Sequence, residues 1–169
     1  KKKNAIYQLM DCFTLFYFKF LKSQHTDEHF WTNQINTPLV NTWMGLAFER
    51  VCMEHIEQIK VKLGIAGVLT EVNSWYCKAD LDNGVFGSQI DMLIVRKDQV
   101  INLCEMKYSQ SEYTITEKVD RNIRNKISDL ITISGTKYAI YPTIITTYGL
   151  VENSYSQEVQ SVVTMDDLF

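Results

Sequence analysis

Proline and glycine are scarce here, at two and seven in 169 residues. That excludes a Gly/Pro-rich linker and makes long irregular loops unexpected. Long apolar runs are missing as well. The most apolar early stretch, Phe13 to Leu21, is too short to span a bilayer and is broken by Lys19. No small-residue cleavage site follows it, so it does not read as a secretion signal. The four cysteines, Cys12, Cys52, Cys77 and Cys104, are scattered without a C-x-x-C pair, and no histidine stands at metal spacing. Buried free thiols in a cytoplasmic chain are therefore expected, in place of a disulfide framework or a zinc site. No phosphate-binding loop of the form G-x-x-x-x-G-K-S/T occurs, so this segment is not expected to bind or hydrolyse ATP. An initiator Met is also missing. The chain opens Lys1-Lys2-Lys3-Asn4 and reads as a piece of something longer.

What is present is an ordinary globular composition. Hydrophobic residues make up 46%, aromatics 12% and charged residues 22%, which rules out a disordered chain or a coiled coil. The net charge of −3 does not by itself point to nucleic acid. Its distribution is uneven. Residues 1–22 hold five lysines and one aspartate, while residues 151–169 hold four acids and no base. Between them Lys118, Arg121, Arg124 and Lys126 form a basic cluster, diluted by Glu117 and Asp120. The cluster reads either as a solvated helix face or as an edge turned to phosphates.

Periodicity supplies the elements. Phe13, Phe16, Tyr17, Phe20 and Leu21 recur at helical spacing from Asp11 onward. The polar stretch 23–36 looks like a boundary. Thr37-Pro38 then opens a long helix, with Thr as cap and Pro at the first helical position. Its apolar stripe is Met44, Phe48, Val51, Cys52, Ile56 and Ile59, and Leu63-Gly64 ends it. The period next changes to two. Strands are predicted at about Val68–Cys77, Ser88–Val95 and Val100–Lys107, with turns at Asp82-Asn83-Gly84 and at Arg96–Gln99. Thr114 to Glu117 has capping-box spacing for a helix reaching about Leu130. Strands at Tyr138–Thr147 and Gln160–Thr164 close the list. The order is helix, three strands, helix, strand, which gives an α/β fold around one mixed sheet. No internal repeat is visible.

The hairpin of the second and third strands carries the chemistry. A three-residue loop, Lys97 to Gln99, would pair 96 with 100 and therefore Asp91 with Glu105. Directly opposed residues have Cβ atoms about 4.5–5.5 Å apart. Alternation adds Lys107 to the face of Glu105, and Gln89 to the face of Asp91. Two acids facing each other on central strands are destabilising unless something compensates. A divalent metal would, because Mg²⁺ takes one or two carboxylates, several waters and a phosphate oxygen. The Met106 carbonyl could add a ligand, and Lys107 could orient or deprotonate a water or stabilise charge on a phosphate. Glu49, one turn after Gly45, could stand at the rim of the site. A salt-bridge ladder on an exposed sheet face is the competing reading of Asp91, Glu105 and Lys107. His25, His29 and His55 are isolated and read as non-catalytic, and Cys104 falls on the face opposite Glu105.

Glu49 … Asp91 … Glu105-Met106-Lys107, set in αβββαβ order, resembles the PD-(D/E)XK nuclease superfamily. Tyr7-Gln-Leu-Met-Asp11-Cys-Phe13-x-x-Phe16-Tyr17-x-x-Phe20 is similar to the segment after the winged helix in archaeal-type and bacterial AAA-class ATPases. Those proteins carry a C-terminal nuclease-like domain of unknown function. Gly45-Leu-Ala-Phe48-Glu49, Leu103-Cys-Glu105-Met-Lys107-Tyr108, Asn122-Ile-Arg124-Asn125-Lys126, Ile144-Ile-Thr-Thr-Tyr-Gly149-Leu150 and Val163-Thr-Met-Asp-Asp-Leu-Phe169 resemble that domain. Cys12 departs from it, where a proline is usual. The resemblance implies a restriction-endonuclease-like core at 37–169, preceded by a winged-helix remnant at 1–22 and a linker at 23–36. It implies Mg²⁺ or Mn²⁺ held by Asp91, Glu105, the Met106 carbonyl and Glu49, with Lys107 completing the catalytic set. It implies DNA as partner, for which the basic cluster Lys118, Arg121, Arg124 and Lys126 supplies the candidate backbone contacts, and an ATPase and winged helix earlier in the parent chain. Membership does not itself establish cleavage, so a catalytically silent DNA-binding or regulatory module stands as the alternative. A domain that docks on its own ATPase through the aromatic helix is a third reading.

Overall fold

A computed structural model describes residues 9–22 and 28–169. Lys1–Gln8, where the chain's opening lysines fall, and 23–27, which include His25, lie outside the described residues. The chain divides into two compact units, Lys1–Arg50 and Val51–Phe169, and the division falls inside a helix.

In the first unit Asp11 caps α1 (Cys12–Phe16), its Oδ2 accepting from the Thr14 amide at 2.7 Å. The helix continues as a π-helical turn over Tyr17–Leu21. The apolar stripe expected along this helix is split. Phe16 and Phe20 turn inward onto Trp31 and Trp43, with ring centroids 5.3–6.2 Å apart, while Phe13 is 71% exposed. Trp31 belongs to α2 (Phe30–Gln34), a short helix within the expected linker.

One helix was expected from 38 to 63. Two form, α3 (Pro38–Glu54) and α4 (Ile56–Lys62), broken at His55. The His55 ring Nδ1 donates to the Val51 carbonyl at 2.8 Å, and its backbone sits at φ −111°, ψ 31°. The Val51 carbonyl accepts from both the His55 ring and the His55 amide, and the break falls at this residue without any Gly or Pro. Gly64, at φ 69°, terminates α4 as the sequence suggested.

The sheet has five strands in chain order: β1 (Thr70–Cys77), β2 (Ser88–Arg96), β3 (Val100–Lys107), β4 (Ala139–Thr146) and β5 (Ser161–Thr164). The first three pair antiparallel, and β3–β4 and β4–β5 pair parallel. Parallel neighbours need a crossover, supplied between β3 and β4 by α5 (Glu117–Ser134). The result is a mixed α/β fold around a mixed sheet. Thr116, not Thr114, caps α5, its Oγ1 accepting from the Val119 amide. Ile115 is buried in the core, which keeps the chain extended for two further residues. Gly135, at φ 62°, ends the helix.

α5 packs Ile127 and Leu130 on Ile90, Leu93, Ile101 and Leu103 of the sheet. Asp129 beside them is fully buried and accepts from the Phe86 amide at 2.8 Å and the Ser88 hydroxyl at 2.5 Å. It ties α5 to the entrance of β2. Cys104 faces the other side of the sheet, where burial pushes its thiol far up. Cys12, Cys52, Cys77 and Cys104 are all free. No helix among the described residues is long and apolar enough to cross a membrane.

Candidate functional site

The apolar run of β3 holds that strand at the sheet centre and carries Glu105 inside with it. The Glu105 side chain is 5% exposed. Each carboxylate oxygen meets an ammonium. Lys107 Nζ lies 3.1 Å from Oε2, and Lys126 on α5 donates to Oε1. The two lysines are not equivalent. Lys107 is 38% exposed and Lys126 only 11%. A buried acid is costly without such partners, and here it has two.

Burial alone would lower the pKa of Lys107. The charge of Glu105 and the hydrogen bond to it, with smaller contributions from Tyr113 and Asp91, outweigh burial and raise it. Lys107 therefore stays an ammonium through the neutral range. Of the three roles its sequence position allows, deprotonating water is the one this environment opposes. Burial also pushes the Tyr113 phenol up, with Lys107 pulling against it and Glu105 adding to it. Tyr113 is held by its own backbone, whose amide donates to Gly149 at 2.8 Å and whose carbonyl accepts from Val151 at 3.0 Å.

Asp91 needs a correction. The expected frame is real: Met92 pairs Cys104, Leu93 pairs Leu103 and Val95 pairs Ile101. Pairing stops at Met92, one step before Asp91 would meet Glu105. On the other edge, Asn73 pairs Leu93 but Trp75 pairs Ile90. Ser74 thus faces two residues, Asp91 and Met92, which makes a β-bulge in β2. Ile90 and Leu93 share one core cluster although they are three apart, which strict alternation forbids. The two carboxylates are therefore not a directly opposed cross-strand pair. Asp91 leaves the ladder at the bulge and accepts from Gln89 Nε2 at 2.9 Å. Its charge still reaches Lys107. Beyond Cys104, among the described residues, Glu105 to Lys107 pair with β4, Met106 against Ile145.

Glu105 and Lys107 open into a cleft of about 530 Å³, walled by Tyr113 and by Lys118, Val119, Arg121, Asn122 and Asn125. Lys118 and Arg121 thus share a cavity with the β3 residues. Arg121 pairs with Glu117 at 2.5 Å, an exposed pair that holds it weakly. Arg124 lines a different recess and is engaged by Asp120 and Glu158. Lys126, expected among the phosphate contacts, is turned inward to Glu105 instead. Glu49 is half-buried on the part of α3 that belongs to the first unit.

Sequence reasoning gave no role to Tyr113, Asn122 or Asn125. Positions 118, 121, 122, 125 and 126 follow helical spacing and share one face of α5, and that signal was available. Among the described residues no three of His, Cys, Asp and Glu come together as a metal cage. A hard divalent cation that keeps its waters needs only one or two carboxylates. Glu105 lines the cleft, and the charge of Asp91 acts on the same Lys107.

A family model, DUF234, described as archaeal and bacterial proteins of unknown function, matches residues 13–122. The match takes in Glu49, Asp91, Glu105, Lys107, Tyr113, Lys118 and Arg121, and stops within α5 before Lys126. No curated protein and no solved structure matches the chain.

Proposed function

The chain belongs to the DUF234 family of archaeal and bacterial proteins, and from that premise we propose that its second unit is a nuclease-like domain acting on DNA phosphodiesters with Mg²⁺ or Mn²⁺. One observation carries the reading. A buried carboxylate, Glu105, stands between two ammonium groups at a cleft whose helical wall presents Lys118 and Arg121. A cleft of that composition accepts a phosphate backbone. The β1-β2-β3 meander followed by α5 and a parallel β4 agrees with a PD-(D/E)XK core. The resemblance to the C-terminal domain of AAA-class ATPases would place the unit after a winged helix in a longer parent.

Glu105 and Asp91 would hold the metal, with the Met106 carbonyl as a further ligand. The metal's contribution is to polarise the phosphate and lower the pKa of a bound water. Lys107, protonated, lies where it can stabilise charge on a phosphate oxygen or orient the attacking water. Lys118 and Arg121 would hold the backbone, Arg121 exchanging Glu117 for phosphate. Hydrolysis adds one water across one P–O bond and yields a phosphomonoester and an alcohol. Glu49 has the residue type that the resemblance requires, and Glu49→Gln tests its part.

The test is nicking of supercoiled plasmid DNA with and without Mn²⁺. The expected result is metal-dependent nicking lost in Asp91→Asn and Lys107→Met proteins that retain the wild-type circular dichroism spectrum. Nicking that persists in both variants would refute the assignment. A second reading has its own support, since Glu105 is already neutralised by two lysines. On that reading the unit is a silent DNA-binding module of its parent, which retains DNA affinity and shows no metal-dependent nicking.

A further inference from the structure

We propose that Lys126 is an internal counter-ion occupying the cation position at Glu105, so that a divalent metal binds there only by displacing it. The inference rests on the metal-binding reading above and gives Lys126 a role that the reading left unassigned.

The geometry supplies the argument. Both carboxylate oxygens of Glu105 are taken, Oε1 by Lys126 and Oε2 by Lys107. Together the lysines place two positive charges on one buried acid, the charge of one divalent ion. Mg²⁺ sits about 2.0–2.1 Å from its oxygen ligands. A metal at Oε1 would crowd the Lys126 ammonium on that oxygen and repel it, since the two cations would stand only a few ångströms apart. Lys107 can remain, because it uses the other oxygen and is partly hydrated. With the metal at Oε1, Lys126 is the group displaced, and a four-carbon stem with free rotors permits it.

Its destination follows from helix geometry. Asn122 lies four residues earlier, one turn away on the same face of α5, and lines the cleft with Lys118 and Arg121. An ammonium released from Glu105 would face that cleft. Metal binding would then hand a cation to the phosphate side of the site, and metal and DNA would each favour the other's binding. Without metal, Lys126 keeps Glu105 from being buried unpaired.

Calorimetric titration of Mn²⁺ into wild type and a Lys126→Met protein tests this. Methionine keeps much of the aliphatic volume and removes the charge. The expected result is Mn²⁺ affinity about 5- to 150-fold higher in the variant, with a larger Mn²⁺-induced rise in melting temperature. If both proteins bind Mn²⁺ equally, or the folded variant binds more weakly, the counter-ion proposal fails and the metal reading survives. If neither binds Mn²⁺, the metal reading fails and takes the proposal with it. Should Lys126→Met not fold, Lys126→Gln, which keeps a donor without the charge, gives the same comparison.

Discussion

The asymmetry between the two lysines on Glu105 makes a sharp energetic test. Both carry the same charge to the same carboxylate, yet Lys126 is 11% exposed and Lys107 is 38% exposed. Water can replace Glu105 as the partner of Lys107 far more readily than as the partner of Lys126. Breaking a buried ion pair by removing one member costs about 3–5 kcal/mol, because the other charge is left in a poor solvent. Glu105→Gln retains a carbonyl acceptor, so we expect the lower end, about 3 kcal/mol. For a chain of this size that is roughly a 10 °C fall in melting temperature, at about 2–4 °C per kcal/mol. Lys107→Met should stay within about 1 kcal/mol, as for a pair with one solvated member. Removing both members of the buried pair should restore most of the loss, so Glu105→Gln/Lys126→Met is expected within about 1 kcal/mol of wild type. The assay is urea unfolding followed by Trp75 fluorescence in a Trp31→Phe/Trp43→Phe background. Trp75 packs on the sheet core, so it reports the second unit alone. Single variants that each cost under about 1 kcal/mol, or that add in the double variant to within about 0.5 kcal/mol, would refute the reasoning.

Three more outcomes are expected. Lys107 has a folded pKa above its ordinary 10.5, so its stabilising contribution is complete below that value and is lost as pH rises through the higher folded value; the stability difference between wild type and Lys107→Met should be constant through neutrality and shrink only above 10.5, and shrinkage near neutrality would show a lowered pKa and reopen a role as base. If the cleft holds duplex DNA through Lys107, Lys118 and Arg121, affinity should fall with salt at a log–log slope of about −2.7, and Lys118→Ala should reduce that slope by about 1, measured by fluorescence anisotropy. Asp129→Ala removes the acceptor of the Phe86 amide and the Ser88 hydroxyl, which should cost about 2–4 kcal/mol and speed proteolysis in the loop between β1 and β2.

Strand positions were legible because this sequence punctuates them. The run Val100 to Lys107 is bounded by Gln99, at φ 68°, and its predicted limits coincide with β3. The loop length fixed the β2–β3 frame correctly. What escaped the sequence is what no local pattern encodes. The bulge at Asp91-Met92 carries no Gly or Pro, and it arises from how β2 meets both neighbours at once. The break at His55 shows as a backbone at φ −111°, ψ 31°, with no Gly or Pro to mark it. The pairing of Lys126 with Glu105 joins a helix and a strand 21 residues apart. Spacing gave the face of α5 but not the angle at which that face meets the sheet. A cluster read as phosphate-facing is therefore divided by tertiary packing: Lys118 and Arg121 line the cleft, and Lys126 serves the interior.

Chain-order stacking of the strands bears on how the site comes into being during synthesis. Contacts among β1, β2 and β3 are local, so this meander can assemble while α5 is still within the ribosome. In that interval Glu105 has Lys107 and bulk water for company. Only the later docking of α5 excludes that water and delivers Lys126. The buried pair therefore depends on a late tertiary event, and partial release of α5 would undo it without unfolding the meander. Amide exchange along α5 is accordingly expected to outpace exchange along β3, which would make the cleft wall the first part of the second unit to loosen.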